Sequence, residues 1–347
     1  MVTLKDIILG KTNDYSDEEA SFESQTGLKL ITTNKQSFPQ NKLKIRVSVI
    51  ISCYLGQKTL PILLNGLERQ TYKNFEFIII DDGSPESMER VVSETKTSLS
   101  IKFIREEKNM GRSYTRNTGM LYAEGECLIF TDQDVIIEDD FVFNFAIRQQ
   151  YTSNCAFLGF KEDVEFDDVN GHKHADYQKD WRYKVKGEKH FINISLAQIE
   201  PTNQTRDYFL LKESNHFKDL GYGKTIGFWD LSSMIISHSL CVKKTSAIES
   251  GGFPEEGFDG WGAQDIAFGA RLIGIGNYIV PVLNNVIFHI SHPRYSGSRE
   301  IELEELKNNV QSYFKMTNSD NWNPQPRQRS LESKKVESNM KYFLLKD

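Results

Sequence analysis

Long apolar runs are missing from this chain of 347 residues, and their absence argues against a bilayer-spanning segment. The longest apolar stretches, Val47–Ile51 and Phe77–Ile80, have only the length of a strand. The first residues also lack the basic start and long apolar centre of a signal peptide, since a short apolar patch is followed at once by acidic residues. These features predict a cytoplasmic protein and are compatible with peripheral contact at the inner face of a membrane.

Paired cysteines and an excess of basic residues are missing as well. The four cysteines are far apart and none forms a CxxC pair, which argues against zinc held by thiolates. Cys53 and Cys127 lie in or beside apolar segments and are predicted to be reduced core residues. The net charge of −6 argues against a nucleic-acid partner, because phosphate binding usually requires a basic surface. With 39% apolar and 26% charged residues, the composition is that of an ordinary globular protein.

Strand-like and helix-like apolar patterns alternate between residues 46 and 130. The predicted strands are Arg46–Tyr54, Phe75–Ile80, Ile101–Arg105 and Glu126–Phe130. The predicted helices are Lys58–Gln70, Met88–Thr97 and Gly111–Ala123. This alternation is typical of βαβ units and predicts an α/β fold with a mostly parallel central sheet flanked by helices. In such sheets, ligands bind beyond the carboxyl ends of the strands.

The rest of the chain is predicted to extend one domain that spans residues 46–293. Residues 1–45 are polar and without period, so we expect a leader that packs on the domain or stays partly mobile. Residues 160–228 predict an insertion of helices and loops, and residues 294–347 a helical tail. The insertion contains three histidines that we expect at the surface, His172, His174 and His190. The remaining predicted elements are helices at 141–151, 265–273 and 299–316 and strands at 232–242 and 277–290.

Two acidic turns follow predicted strands and should therefore lie at one edge of the sheet. Carboxylates of Asp132-Gln133-Asp134 could hold a divalent cation that bridges the protein to a nucleotide diphosphate. The Asp81-Asp82-Gly83-Ser84 turn could accept hydrogen bonds from a base or ribose, and its glycine permits a tight turn. Each motif has a structural alternative, a solvated strand end for the first and a helix-capping turn for the second.

A glycine-rich segment at residues 251–265 supplies two further candidates. Asp265 could take a proton from an acceptor hydroxyl, and its structural alternative is a helix N-cap. Trp261 could offer a flat apolar face to a sugar, and its structural alternative is a core residue.

Basic and imidazole side chains complete the candidate set. His289 and His292 could converge in a turn as metal ligands, although a pair of histidines is more often structural. Arg112 or Arg116 could offset the charge of a diphosphate, or form one ion pair on a solvated helix face.

Four segments in this order resemble family 2 glycosyltransferases with the GT-A fold. They read VSVIISCY, QTYKNFEFIIIDDGS, NMGRSYTRNTGMLYAEGECLIFTDQD and GGFPEEGFDGWGAQDIAFGARL. The last segment and the following FHISHP resemble the C-terminal region shared by galactosyl- and N-acetylgalactosaminyltransferases, including bacterial chondroitin polymerases. The resemblance covers Val47–Pro293.

The resemblance implies an inverting transfer of a hexose or N-acetylhexosamine from a UDP-sugar, with Mn²⁺ or Mg²⁺, in polysaccharide or glycoconjugate biosynthesis. Asp265 matches the general base and Asp134 the principal metal ligand, while His289 or His292 matches a downstream metal ligand, with His289 favoured. Ser52 and Asp82 match positions at the uridine, and Asp132 a position near the ribose and the metal. Together, the resemblance and the motifs described above predict six donor-binding residues: Ser52, Asp82, Arg112, Asp132, Trp261 and Gln264.

Gln264 departs from the family pattern, in which a Glu usually precedes the base. In relatives that Glu helps to hold the acceptor or donor sugar, so the amide could change the preference for either, while Asp265 keeps the base. A sugar-nucleotide-forming transferase is disfavoured because the segment after the first strand, Cys53–Lys58, has too few glycines. A non-catalytic sugar- or nucleotide-binding protein that kept the fold is the other alternative. The sequence does not distinguish among a glycan, a lipid-linked oligosaccharide and a protein side chain as the acceptor. The insertion at residues 160–228 is expected to recognise the acceptor.

Overall fold

A computed structural model describes residues 2–32, 38–95, 98, 100–164, 221–224, 232, 235–292, 297–327 and 340–343. Most of the predicted insertion, with its three histidines, lies outside the described residues. Part of the predicted C-terminal tail lies outside them as well.

A mixed sheet forms the centre of the described structure, with strand order β5-β8-β6-β7-β4-β1-β2-β3-β9. The neighbours β4, β1, β2 and β3 are parallel, as the alternating sequence pattern predicts, whereas β5, β7 and β9 pair antiparallel with their neighbours. The strands are β1 Val47–Cys53, β2 Phe75–Asp81, β3 Ile101–Arg105, β4 Cys127–Asp132, β5 Val135–Ile137, β6 Cys155–Val164, β7 Leu240–Lys243, β8 Tyr278–Ile290 and β9 Met340–Phe343. The predicted α/β class with a parallel central region is confirmed.

The helices that flank the sheet follow the apolar spacing of the sequence. In α3, the leucines at positions 60, 63, 64 and 67 are all fully buried, because this spacing puts them on one face. The described α-helices are α1 Leu4–Leu9, α2 Ser16–Thr26, α3 Leu60–Glu68, α4 Glu89–Glu94, α5 Arg112–Tyr122, α6 Phe141–Tyr151, α7 Lys244–Glu249, α8 Gln264–Gly274 and α9 Arg299–Thr317. The predicted helices therefore agree with the observed ones to within a few residues at their ends.

The N-terminal segment contributes apolar side chains to the core, although its overall composition is polar. Leu4 and Ile8, one turn apart in helix α1, are fully buried, and so is Phe22 in helix α2. Between the helices, the side chain of Asn13 accepts from the backbone N–H of Ile279 at 2.9 Å and donates to its carbonyl at 2.9 Å. The described part of this segment thus packs on the domain, which is one of the two predicted alternatives.

The four cysteines lie in the core of the domain. All four cysteines are free and buried, which confirms the prediction for Cys53 and Cys127. The Sγ atoms of Cys127 and Cys241 lie 3.2 Å apart in the core. Within the described residues, no helix is long and apolar enough to cross a membrane.

Candidate functional site

The register of the parallel strands brings both acidic turns to one edge of the sheet. In that register Ser52 in β1 stands beside Ile80 in β2 and beside Asp132 in β4. The next residue of β1, Cys53, pairs with Asp81. The two turns therefore flank the carboxyl end of β1, where α/β sheets bind their ligands.

The first turn is closed by hydrogen bonds to a buried carboxylate. Asp81 is fully buried and accepts the backbone N–H of Ser84 at 3.0 Å and of Met88 at 3.1 Å, and it also pairs with Arg105. Gly83 has φ +68°, and a Cβ there would lie 2.3 Å from the carbonyl carbon of Lys108. The glycine is thus required both by the backbone conformation and by the close approach of the next loop.

Asp82 points from this turn to the start of α5. It accepts the backbone N–H of Met110 at 2.6 Å and of Gly111 at 3.1 Å. Burial raises the pKa of Asp82 to about 6, although these two hydrogen bonds and the charge of Arg112 act in the opposite direction. Ser52 also contacts α5, with its hydroxyl 2.6 Å from that of Thr115. Ser52, Asp82 and the exposed Arg112 therefore surround the beginning of one helix.

At the second turn, Asp132 is joined to Asp265 by a guanidinium. Arg116 Nη2 lies 3.1 Å from Asp132 Oδ1, and its Nη1 lies 3.0 Å from Asp265 Oδ1. The Ser237 hydroxyl donates to the same Asp265 oxygen at 2.9 Å. Asp265 lies in the first turn of α8, whose N-cap is Ala263, so the N-cap alternative for Asp265 is wrong. The structure brings the two predicted carboxylates together through an arginine that the sequence could not rank above Arg112.

Asp134 forms a cluster with both predicted histidines. His292 Nε2 lies 2.9 Å from Asp134 Oδ2 and His289 Nε2 lies 3.7 Å from it. Strand β5 pairs with β8 so that Val135 faces His289, and the chain then turns so that His292 converges as well. Burial acts to raise the pKa of the Asp134 carboxyl, but the hydrogen bond from His292 and the nearby imidazoles hold it below its ordinary value.

This cluster fits a divalent cation. Its three side chains each offer one ligand atom, and these atoms lie within 4.8 Å of one another. The second carboxylate oxygen, Asp134 Oδ1, is buried and makes no hydrogen bond within the described structure. A carboxylate with two imidazoles is a donor set that suits transition-metal cations such as Mn²⁺.

Gln133, between the two acidic residues, has a bracing role. Its side chain accepts the backbone N–H of Tyr54 at 3.0 Å and donates to the carbonyl of Tyr54 at 2.7 Å. A Cβ at Gly56 would lie 2.0 Å from the Gln133 oxygen, so the loop after β1 passes close to it. The middle residue of the triplet thus holds the loop that follows β1.

The glycine-rich loop before Asp265 is braced from two sides. Gln264 is buried and its amide donates to the carbonyls of Phe258 at 3.2 Å and Gly260 at 2.8 Å. An ionised glutamate could not donate these bonds, which gives the departure from the family pattern a local structural consequence. Trp261 is partly buried, donates its backbone N–H to Glu305 at 2.9 Å, and has the guanidinium of Arg299 5.5 Å from its ring centroid.

The chain is similar to known glycosyltransferases in sequence and in fold. Residues 48–213 match the sequence model described as "Glycosyl transferase family 2". Chondroitin synthase of Escherichia coli is 26% identical over 261 residues, which are 74% of this chain and 36% of that protein. Poly-beta-1,6-N-acetyl-D-glucosamine synthase of Staphylococcus epidermidis is 31% identical over 184 residues, 52% of this chain and 42% of that protein. The chain thus spans less than half the length of these relatives.

A solved structure supports the same fold. The mannosyltransferase of Pyrobaculum calidifontis in complex with GDP-Man and Mn²⁺ has a TM-score of 0.53 and 15% identity, covering 92% of this chain and 78% of that one. At this identity the similarity carries the fold alone, and it confirms the predicted GT-A architecture.

Proposed function

We propose that this chain, which matches the family 2 glycosyltransferase model over residues 48–213, moves a hexose or N-acetylhexosamine from a UDP-sugar to a hydroxyl acceptor with inversion at the anomeric carbon. The observation that carries this proposal is the meeting of two groups at one sheet edge. These groups are the Asp134, His289 and His292 cluster and the Asp132, Arg116 and Asp265 chain of ion pairs. Ligands for a cation that would offset the leaving diphosphate, and a carboxylate that can take the acceptor proton, together suit an inverting nucleotide-sugar transfer.

The cluster of Asp134 and the two histidines is the proposed metal site. A divalent cation bound there would offset the charge of the donor diphosphate and of the departing nucleotide. The mixed carboxylate and imidazole ligands favour Mn²⁺ over Mg²⁺, which prefers oxygen ligands. A donor nucleotide would place its base near Asp82 and Ser52, beside the beginning of α5.

Asp265 is the proposed general base. The acceptor hydroxyl gives its proton to this carboxylate as its oxygen bonds to the anomeric carbon, and the bond from that carbon to the diphosphate oxygen breaks. The side chain of Asp265 is 23% exposed, which leaves it accessible to an acceptor. Gln264 holds the preceding loop and keeps Asp265 at the start of α8.

The acceptor is proposed to be a growing glycan, because two of the relatives are named as polysaccharide synthases. A lipid-linked oligosaccharide and a protein side chain are the alternatives to be included in the acceptor screen. The uridine nucleotide also needs a direct comparison with guanosine, since the structural neighbour holds GDP-Man.

The test is nucleotide release with Mn²⁺ and a panel of UDP-sugars and GDP-mannose, on the wild-type chain and on Asp265→Asn. We expect release with a UDP-sugar, and a loss of about 10²- to 10⁴-fold in Asp265→Asn, the usual contribution of a general base. UDP affinity should stay within about threefold of wild type, because Asp265 does not hold the nucleotide. Asp259→Asn, which removes an exposed carboxylate from the same loop, is the matched control and should keep normal turnover.

Three results would contradict the proposal. Normal transfer by Asp265→Asn would reject the base. Formation of a UDP-sugar from UTP and a sugar phosphate would indicate the nucleotide-sugar-forming alternative. The absence of nucleotide release with every donor, together with retained sugar or nucleotide binding, would indicate the non-catalytic alternative.

A further inference from the structure

We propose that Arg116, assisted by Ser237, is a positioning residue that fixes one oxygen of Asp265 and leaves the other oxygen, Oδ2, to receive the proton of the acceptor. The inference deepens the proposed function and rests on Asp265 being the base. It assigns to Arg116 a role in orienting the base, besides any effect of its charge on the donor.

The geometry at Asp265 is asymmetric. Both side-chain donors that reach it, Arg116 Nη1 at 3.0 Å and Ser237 Oγ at 2.9 Å, meet Oδ1. No hydrogen bond to Oδ2 is found within the described parts of the chain. Two donors on one oxygen use its lone pairs and withdraw its charge, so Oδ2 is the oxygen with free accepting capacity.

The guanidinium has little freedom to leave this position. Arg116 is 5% exposed, its carbon Cζ lies 5.4 Å from the centroid of the Phe253 ring, and its second nitrogen is held by Asp132. The next residue of α5, Asn117, binds the backbone N–H of Phe253 at 2.9 Å and its carbonyl at 2.8 Å. Helix α5 is therefore tied to the loop that leads towards Asp265, and Arg116 sits at that junction.

One guanidinium thus sets the relative position of two carboxylates with different proposed tasks. A planar fork can hold Asp132 and Asp265 at once, whereas the ammonium of a lysine is a single point charge on a flexible chain. The bridge also offsets the repulsion between the two carboxylates. A misplacement of the base by about 1 Å can lower a rate about 10²-fold, which gives the expected scale for losing the bridge.

The experiment measures transfer by Arg116→Ala, Arg116→Lys and Ser237→Ala at saturating donor and acceptor. We expect kcat to fall about 10²-fold in Arg116→Ala, less in Arg116→Lys, and about tenfold in Ser237→Ala, which loses one hydrogen bond to a charged group. Millimolar guanidinium chloride should restore part of kcat in Arg116→Ala and none in Ser237→Ala. Thermal unfolding of both variants shows whether they are folded, so that a loss of kcat and its rescue by guanidinium are read on folded protein.

A double-mutant cycle links the effect to the base. If Arg116 acts through Asp265, adding Arg116→Ala to Asp265→Asn should lower the residual rate by less than threefold. Wild-type kcat in Arg116→Ala, absence of guanidinium rescue in the folded variant, or a full additional 10²-fold loss in the double variant would each overturn the inference. Normal transfer by Asp265→Asn would instead reject the proposed base itself, so the two failures are distinguishable.

Discussion

The two acidic turns occupy equivalent places on either side of β1, yet their carboxylates find different kinds of partner. In the first turn, Asp81 and Asp82 are held by groups at most 29 residues away in sequence. In the second turn, Asp134 meets His289 and His292, which arrive from the far end of β8. The carboxylates of the first turn are held by segments close to it in the chain, whereas Asp134 of the second turn meets side chains from the C-terminal half of the domain.

This difference indicates that Asp81 has a structural role in the first turn, whereas Asp134 in the second turn is available for chemistry. Asp81 is fully buried and both of its oxygens accept backbone N–H groups, so it holds the fold of the turn. Asp134 is almost as buried, but its Oδ1 makes no hydrogen bond in the described structure. Buried carboxylate oxygens without a donor are uncommon, and a cation is one partner that would remove the cost.

The largest expected effect comes from removing the carboxylate of the second turn. Asp134→Ala should lower transfer by about 10³-fold or more, because it removes the buried anion that would hold the cation against the diphosphate. Turnover measured with saturating Mn²⁺ and donor tests this, and Asp134→Asn, which keeps the volume, is the matched variant. Transfer near the wild-type rate in both variants would remove the second turn from the mechanism.

A smaller effect is expected at the two histidines. His289→Ala and His292→Ala should each weaken Mn²⁺ binding by at least about 10- to 100-fold, the range typical of losing a residue that only supports a metal ligand. Calorimetric titration with Mn²⁺ measures both, and His238→Ala, an imidazole 6.4 Å from that of His289, tests whether any neighbouring histidine matters as much. An unchanged affinity in one variant would exclude that histidine as the downstream ligand.

The first turn should respond to pH rather than to metal. Its buried Asp82 has a pKa raised to about 6, so the carboxylate that could accept from a base is ionised above that value and protonated below it. Uridine binding without metal should therefore strengthen about tenfold between pH 5 and pH 7 if only the ionised form binds. Asp82→Asn should give an affinity that does not change with pH. If the wild-type affinity is equally independent of pH, Asp82 does not bind the uracil base.

The smallest effect is expected at the middle of the second turn. Gln133→Ala removes the two hydrogen bonds to Tyr54 and should lower the free energy of unfolding by about 1–2 kcal/mol. Mn²⁺ affinity should hardly change, since Gln133 faces the loop after β1. Thermal unfolding and the metal titration test this, and a loss of metal binding as large as in the histidine variants would place Gln133 in the metal site.

Much of the fold follows from patterns that are local in the sequence. The strands β1 to β4 and the helices α3, α5, α6 and α8 were predictable because their apolar residues repeat with the period of one element. Helix α1 was missed because its six residues are too few to show a helical period, and α2 because it buries one apolar residue, Phe22, among serines and acids. Strands β6 and β9 were missed too, since the strands they pair with come from distant parts of the chain.

The candidate site also has a part that local sequence patterns predict and a part that they do not. The acidic turns and the helix that contains Asp265 could be placed at a strand end or a helix start, because local motifs determine those positions. The choice of Arg116 over Arg112 as the bridge between Asp132 and Asp265 could not be made, and Ser237 carries no motif that would single it out.

The sequence by itself determined which chemical groups are present and at which end of each strand or helix they lie, because short-range periodicity and turn residues decide those positions. Only the tertiary structure decided which of the groups meet. The convergence of His289 and His292 on Asp134 depends on the pairing of β5 with β8, and the bridge at Arg116 depends on the packing of α5 against the loop at Phe253. Contacts between segments far apart in the chain arise from packing of the whole domain, and no local pattern encodes them.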